Sequence, residues 1–228
     1  IAWILLLGPR AGLINVFLRD TLHLPLTINI FGMPGLVFVV SLNFFPFVYY
    51  SALASLNNID PAYEEASRMA GAKTWRTAVG ISLPLISPAL ITGLILSFLH
   101  SLAVFGAPAA IALPARFHVL TTRIFQLFSY PPRYELAAAC ATPIVMLTVL
   151  GLIIQKFYLG RKQFHSITGK TSHPEPIDIG KWKYVFLGFS FLVILVAVIL
   201  PLSVLIRTSL TKVWGLPLTI KNFTLANY

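Results

Sequence analysis

Charged side chains are scarce in this chain of 228 residues. They make up 11% of it, whereas a soluble domain carries about 25%. Hydrophobic residues make up 57%, and the mean hydropathy is +0.82. This composition excludes an ordinary soluble domain and predicts an integral membrane protein.

Acidic residues are the rarest of the charged groups, with seven Asp and Glu against 17 Lys and Arg, for a net charge of +10. A basic chain could bind nucleic acid, but here the basic residues are scattered between apolar runs and form no stripe with interleaved aromatic residues. Loops that face anionic lipid explain them better. We therefore expect membrane lipid as a partner and no nucleic acid.

Cysteine is nearly absent, since Cys140 is the single one and lies inside an apolar run. A disulfide framework and a cysteine metal site are both excluded. Gly169-Lys170-Thr171 ends like a phosphate-binding loop, but the first glycine of that motif would fall at Phe164. Because acid/base and metal-ligand clusters are also missing, we predict that the chain is not an enzyme and holds no cofactor or metal.

Long apolar runs are what the chain does have. Each has about 20 residues and is apolar on all sides, as a membrane-spanning helix requires. Barrel strands would be shorter and would alternate apolar with polar residues. The fold class predicted is all-α, a polytopic transmembrane helix bundle. The four predicted spans are Met33–Leu56, Leu85–Gly106, Leu136–Leu159 and Tyr184–Arg207.

Three other segments are not long enough or not apolar enough to span. Residues 1–7 are expected to be the end of a further spanning helix. Residues 11–20 are amphipathic and suit an interfacial helix, and the Pro131-Pro132 break in 117–134 suits a surface or re-entrant element. Residues 161–183 are rich in charge, proline and glycine, which indicates a linker.

Between the first two spans, residues 57–84 have helix signals of their own. Asp60 and Pro61 are typical of a helix start, and Arg68, four residues after Glu64, is expected to pair with it on the helix surface. Gly71 falls where a helix ends in a left-handed residue, and a second short helical piece is expected at 75–80. The stretch should therefore be a bent pair of short helices between two membrane helices.

Small and apolar residues follow one side of the first short helix, with charges around them: Ala62, Ala66, Met69 and Ala70. A small apolar centre with a polar rim is the composition of a docking surface. An ordinary loop that happens to be helical remains an alternative at this point.

The spacing of this stretch carries a resemblance. Glu65-Ala66-Ser67, three residues, Gly71, nine residues and then Ile81-x-Leu83-Pro84 resembles EAA-x3-G-x9-I-x-LP, the EAA motif of permease subunits of binding-protein-dependent ABC importers (the MetI-like family). Ser67 replaces the second alanine by another small residue. The residues that the resemblance assigns to ATPase coupling are Glu65, Ala66, Ser67, Gly71, Ile81, Leu83 and Pro84.

The resemblance implies a function and a set of partners. The chain would be part of a transmembrane permease that forms the solute pathway of an ATP-driven importer in the bacterial inner membrane. Loop 57–84 would couple it to cytoplasmic ABC ATPase subunits, two in number, which hydrolyse the ATP. A periplasmic or extracellular solute-binding protein would deliver the solute.

Residues 1–15, the EAA loop and residues 201–228 are further similar to fused, two-repeat permeases of the ferric-iron type. On that basis 1–160 is the later part of the first repeat, with the cytoplasmic coupling loop 57–84, and 161–183 is a cytoplasmic linker. Residues 184–228 are then the first transmembrane helix and outer loop of the second repeat, and the complete chain should continue to a second EAA loop. Ferric iron is one candidate solute, but related fused permeases carry thiamine and phosphonates.

The balance of basic residues supports this orientation only weakly. Eight lie in segments that the motif would place inside the cell and seven in segments outside it. The inner ones are Arg68, Lys73, Arg76, Arg161, Lys162, Lys170, Lys181 and Lys183, and the outer ones are Arg10, Arg19, Arg116, Arg123, Arg133, Lys212 and Lys221.

Polar residues within the predicted spans are candidates for lining the pathway, because polar groups at membrane depth usually face protein or a water-filled cavity. They are Asn43, Ser97, His100 and Ser101. Hydrogen bonding to neighbouring helices is the favoured alternative for each. At the level of the whole protein, a secondary transporter or channel not driven by ATP remains the alternative function, although it would not need a docking loop.

Overall fold

The computed structural model describes residues 1–161, 180–212 and 222–225, and it is predominantly helical. The helices are α1 (Ala2–Leu7), α2 (Leu13–Asp20), α3 (Met33–Leu56), α4 (Pro61–Met69), α5 (Thr74–Thr77), α6 (Leu83–Ala103), α7 (Gly106–Ile111), α8 (Leu120–Phe128), α9 (Tyr134–Arg161), α10 (Trp182–Ile194) and α11 (Leu200–Ser209). Two π-helical segments, Ala78–Ser82 and Leu195–Ile199, continue α5 into α6 and α10 into α11.

Helices long and apolar enough to cross a membrane number four in the ranges that the structure covers. The predicted all-α polytopic bundle is therefore confirmed. The spans are Met33–Leu56, Thr74–Ala103, Tyr134–Tyr158 and Trp182–Ser209.

The helical piece predicted at 75–80 is present, but α5 and the π segment continue directly into α6, so the second span begins at Thr74 rather than at Leu85. A proline inside an α-helix lacks an N–H, and its ring clashes with the carbonyl of the residue four positions before it. Pro84 follows the π segment, in which Leu83 N–H bonds to Ala78 O. The wider turn lets the helix continue past this proline.

The described residues form two compact units, and the first contains residues 1–42, 105–122 and the segment from 179 onward. Helix α1 packs against α11, and the side chains of Leu6, Ile111 and Val204 are buried in a common core. Asn15 of α2 is also buried, and its amide donates to the carbonyl of Ile28 at 2.7 Å. The predicted helix within 11–20 is therefore present, and this hydrogen bond ties it to the extended segment that follows.

Of the described residues, the second unit contains 43–104 and 123–161. Here α6 packs closely on the second half of α3, because a Cβ added to Gly93 would lie 2.8 Å from the Cα of Val48. One turn along α6, the hydroxyl of Ser97 donates to the carbonyl of Phe44 at 3.1 Å. Helix α9 also packs on α6, where Leu99 of α6 lies against Gly151 of α9.

The connections agree with the sequence where they can be compared. The stretch 117–134 contains only the nine-residue helix α8, which is too short to span a membrane. Most of the predicted linker 161–183 lies outside the described residues, as does Gly169-Lys170-Thr171. Helix α10 begins at Trp182, near the predicted end of that linker.

Candidate functional site

The loop between the first two spans begins with a capped helix. The Asp60 carboxylate accepts a hydrogen bond from the Ala62 N–H at 3.0 Å, and Pro61 is the first helical residue. This cap satisfies one of the free N–H groups at the start of α4. Helix α4 then runs for nine residues, so the local signals in the sequence set its start.

The end of α4 is a Schellman motif. Gly71 has a φ of +79°, its N–H bonds to the carbonyl of Arg68 at 2.9 Å, and the Ala72 N–H bonds to the carbonyl of Ser67 at 3.1 Å. These two bonds satisfy carbonyls that the helix end would otherwise leave free. The left-handed glycine predicted from the sequence is present, and it turns the chain sharply toward α5.

One side of α4 and of the residue that follows it is exposed and includes two motif residues, Glu65 and Ala66. At 100° per residue, the positions of this set fall within about 140° of the helix circumference. Met69 is 89% exposed, and the other members are exposed as well. We call this set the outer face of the loop: Ala62, Glu65, Ala66, Met69 and Ala70.

Basic and aromatic residues lie next to the outer face. Arg68 borders it on α4, and Lys73 and Arg76 lie beyond the turn; all three are exposed. The indole of Trp75 is 78% exposed. The loop thus presents a small apolar centre together with the Glu65 carboxylate, an exposed tryptophan and three basic side chains.

The opposite side of α4 faces the long helix that follows. The hydroxyls of Ser67 and Thr77 lie 2.8 Å apart, and the hydroxyl of Ser82 donates to the carboxylate of Glu64 at 3.1 Å. Thr77 and Ser82 are buried. Ser67, the residue that departs from the EAA pattern, is therefore on the inner side of α4, away from the outer face.

Sequence reasoning missed Glu64, Thr77 and Ser82. It paired Glu64 with Arg68 along the helix surface, whereas the carboxylate turns to Ser82. A signal was available, since Glu64 and Ser67 are three residues apart and so share a side of α4. Their partners could not be assigned without the tertiary contact.

The last motif residues lie on the long helix. Ile81 is half-buried within the π segment, and Leu83 and Pro84 are exposed at the start of α6. The EAA pattern therefore extends over two elements. Its first part covers α4 and the turn, and its last part covers the point where the spanning helix begins.

The four pathway candidates have different environments. Ser97 donates to Phe44 of the neighbouring helix, as the alternative interpretation expects, and Ser101 donates to the carbonyl of Phe98 in its own helix. His100 is exposed, with Nδ1 2.8 Å from the carbonyl of Leu96, and its ring is stacked on Phe47 with centroids 4.8 Å apart. Asn43 is exposed on α3.

Comparison with known proteins identifies relatives of the whole arrangement. The chain is similar to the putative ferric transport system permease protein FbpB 1 of Haemophilus influenzae, with 26% identity over 97% of this chain and 35% of the relative. It is 28% identical to the ferric transport system permease protein FbpB of Actinobacillus pleuropneumoniae over 81% of this chain and 27% of the relative.

A third relative is the sulfate transport system permease protein CysT of Escherichia coli, 32% identical over 54% of this chain and 47% of the relative. The chain thus spans 27–35% of the length of the ferric relatives and about half of the sulfate relative. No solved structure matches.

The family model described as "Binding-protein-dependent transport system inner membrane component" matches residues 1–163. The match includes the capped helix, the left-handed glycine and three of the four spanning helices. It agrees with the family predicted from the EAA motif and with a multi-pass protein of the inner membrane. The chain therefore belongs to the family of inner membrane components of binding-protein-dependent transport systems.

Proposed function

We propose that this chain is part of the permease of an ATP-driven importer and that α4 docks on a cytoplasmic ABC ATPase subunit. The observation that carries the proposal is the exposed outer face of the loop, held in place by the Asp60 cap and the left-handed Gly71. Two membrane helices without a cytoplasmic partner would not need an exposed apolar face on the loop that joins them. A solute-binding protein, which the family description names, would deliver solute on the other side of the membrane.

The chemistry of the loop indicates what its partner must offer. Small side chains at Ala62, Ala66 and Ala70 allow a close approach, and an apolar centre with a polar rim is typical of docking surfaces. Met69 and Trp75 are the most exposed of the loop's large apolar side chains and are available to fill pockets. Arg68, Lys73 and Arg76 favour a groove with an acidic rim.

The lengths of the relatives support the two-repeat organisation. The 129 matched residues amount to 47% of the sulfate relative, whereas 225 matched residues amount to only 35% of a ferric relative, which is therefore more than twice as long. The ferric relative is therefore long enough to contain two permease repeats. We infer that 1–160 belongs to the first repeat with its coupling loop 57–84, 161–183 is the linker, and 184–228 begins the second repeat.

Ferric iron is the solute that we propose. The relatives named for ferric transport match 97% and 81% of this chain, whereas the sulfate relative matches 54%. The longer matches extend beyond the first repeat. Within the spans, the exposed side chains of Asn43 and His100 are better placed to meet solute than the hydroxyl of Ser97, which donates to the carbonyl of Phe44 on the neighbouring helix.

Reconstitution tests this function. The complete chain would be placed in proteoliposomes with its ATPase and binding protein, and uptake of radioactive ferric iron, sulfate and molybdate would be measured with ATP and with a non-hydrolysable analogue. We expect iron uptake only with ATP and binding protein. Uptake of sulfate or molybdate instead would overturn the solute but not the permease. Uptake that follows an ion gradient without ATP would establish the secondary transporter.

A further inference from the structure

Two hydrogen bonds join the docking helix to the spanning helix that follows it. Glu64 accepts from Ser82, and Ser67 pairs with Thr77. The two residues on α4 are three positions apart and so lie on one side of that helix. Their partners are among the few polar side chains that the described part of the chain buries.

The π segment accounts for the alignment of the two partners. Thr77 and Ser82 are five residues apart, which in an α-helix would place them about 140° apart around the axis. Between them lies Ala78–Ser82, in which the hydrogen bond runs over five residues, from Leu83 N–H to Ala78 O. This wider turn brings both hydroxyls toward α4. The π segment thus allows the long helix to make two hydrogen bonds to α4, where a regular α-helix would allow one.

Two hydrogen bonds fix the orientation of α4 on the long helix, which one bond alone would not fix. Helix α4 is joined covalently to the long helix only through the short connection 70–73, which holds one end of α4. The Ser67–Thr77 bond lies near that connection, and the Glu64–Ser82 bond lies about one turn further from it. The second bond involves a carboxylate, and such charge-assisted bonds are stronger than neutral ones.

We propose that these four residues form a clasp that makes α4 and the spanning helix 74–103 move as one rigid body, so that displacement of the docked loop is transmitted to the solute pathway. This inference rests on the proposed function. Glu64, Ser67, Thr77 and Ser82 are then positioning residues, which touch neither ATP nor solute. Hydrogen-bond networks and rigid secondary structure elements are among the structures that carry coupling between distant sites.

Four variants of the complete chain test the clasp in the assembled transporter. Ser82→Ala removes the donor and Glu64→Ala the acceptor, whereas Glu64→Gln keeps an acceptor oxygen. Ser87→Ala is the matched control, because it makes the same change on the same helix at a hydroxyl that bonds only to its own helix, at Pro84 O. Assembly with the ATPase would be checked by co-purification before any activity is compared.

The readout is solute taken up per ATP hydrolysed, together with hydrogen exchange of the amides of α4. We expect Ser82→Ala and Glu64→Ala to lower uptake per ATP at least about fivefold, the lower end of the usual range for coupling between sites, and to speed exchange in α4. Glu64→Gln should restore most of the ratio, and Ser87→Ala should leave it unchanged.

The outcomes separate the clasp from the function on which it rests. Unchanged uptake per ATP in Ser82→Ala and Glu64→Ala, with a wild type that couples normally, would overturn the clasp alone. A loss of uptake that is matched by an equal loss of ATPase activity would also overturn it, since coupling would then be intact. A wild type without ATP-dependent uptake would overturn both the proposed function and this role.

Discussion

At the scale of single residues, the EAA motif divides between two sides of one short helix. Glu65 and Ala66 lie on the exposed outer face, while Ser67 and its neighbour Glu64 turn toward the long helix. Neighbouring positions on a helix differ by 100°, so adjacent residues of the motif have different surroundings. Ser67 departs from the family pattern where a hydroxyl finds a partner in Thr77.

The two adjacent glutamates should therefore fail in different ways. Glu65→Ala removes a charge from the outer face, so we expect weaker association of the ATPase with the permease. Glu64→Ala should leave association near the wild-type level and lower uptake per ATP instead. Co-purification of the ATPase at increasing salt would measure the first effect, and identical association of both variants would contradict this division of the motif.

Gly71 has a backbone conformation that strongly favours glycine over other residues. A Cβ at this position would meet nothing within 4 Å, but φ is +79°, and an L-residue in the left-handed region costs roughly 1–2 kcal/mol. We expect Gly71→Val to leave insertion intact and to reduce ATP-dependent uptake, because the turn after α4 would straighten.

Gly188→Ala is the control for that variant. It also lies in open space, but in a helix with ordinary backbone angles. Gly188→Ala should transport normally, and normal uptake and binding-protein-stimulated ATPase activity in Gly71→Val would show that the left-handed turn is dispensable.

At the scale of secondary structure elements, the close approach of α3 and α6 depends on Gly93. Hydrophobic burial between two membrane helices has little driving force, because lipid is as apolar as the side chains, so small residues and interhelical hydrogen bonds hold such pairs. Gly93 is such a small residue, and Ser97, one turn further along α6, makes such a hydrogen bond.

Substitution of Gly93 should therefore separate these helices. In Gly93→Ala the new Cβ would meet the backbone of Val48 at 2.8 Å, and we expect a loss of about 1–3 kcal/mol in stability, the usual cost of overpacking. Thermal unfolding of the purified protein in detergent would measure it. Gly188→Ala again serves as the control, and an unfolding temperature for Gly93→Ala equal to that of the wild type would contradict the close packing.

At the scale of the whole molecule, the membrane orientation follows from the proposal that the EAA loop is cytoplasmic. Two spanning helices separate the start of that loop from residue 180, and one separates it from the segment after α7. Asn57 and His118 are both exposed in connections, whereas the neighbouring Phe117 packs against the core and would be a poor position for labelling.

Single cysteines at these two positions should report opposite sides of the membrane. With Cys140 replaced by serine, Asn57→Cys should react with a membrane-impermeant thiol reagent only from the cytoplasmic side, and His118→Cys only from the other side. Labelling of intact cells and of inverted vesicles gives the comparison. Reaction of both cysteines from the same side would contradict the single crossing by 74–103.

The sequence by itself determined the membrane class, the approximate positions of four spanning helices and the start and end of α4. These depend on long apolar runs and on local signals such as Asp60, Pro61 and Gly71, which act through neighbouring residues only. The family motif adds to them, because its spacing is a property of the chain.

Only the tertiary structure decided that the second span begins at Thr74 and not at Leu85, and that Glu64 bonds to Ser82 rather than pairing with Arg68. Both results depend on where a π turn shifts the phase of the helix and on which side of α4 meets it. Contacts between elements are set by packing in three dimensions, and no local pattern of residues in this chain specifies them.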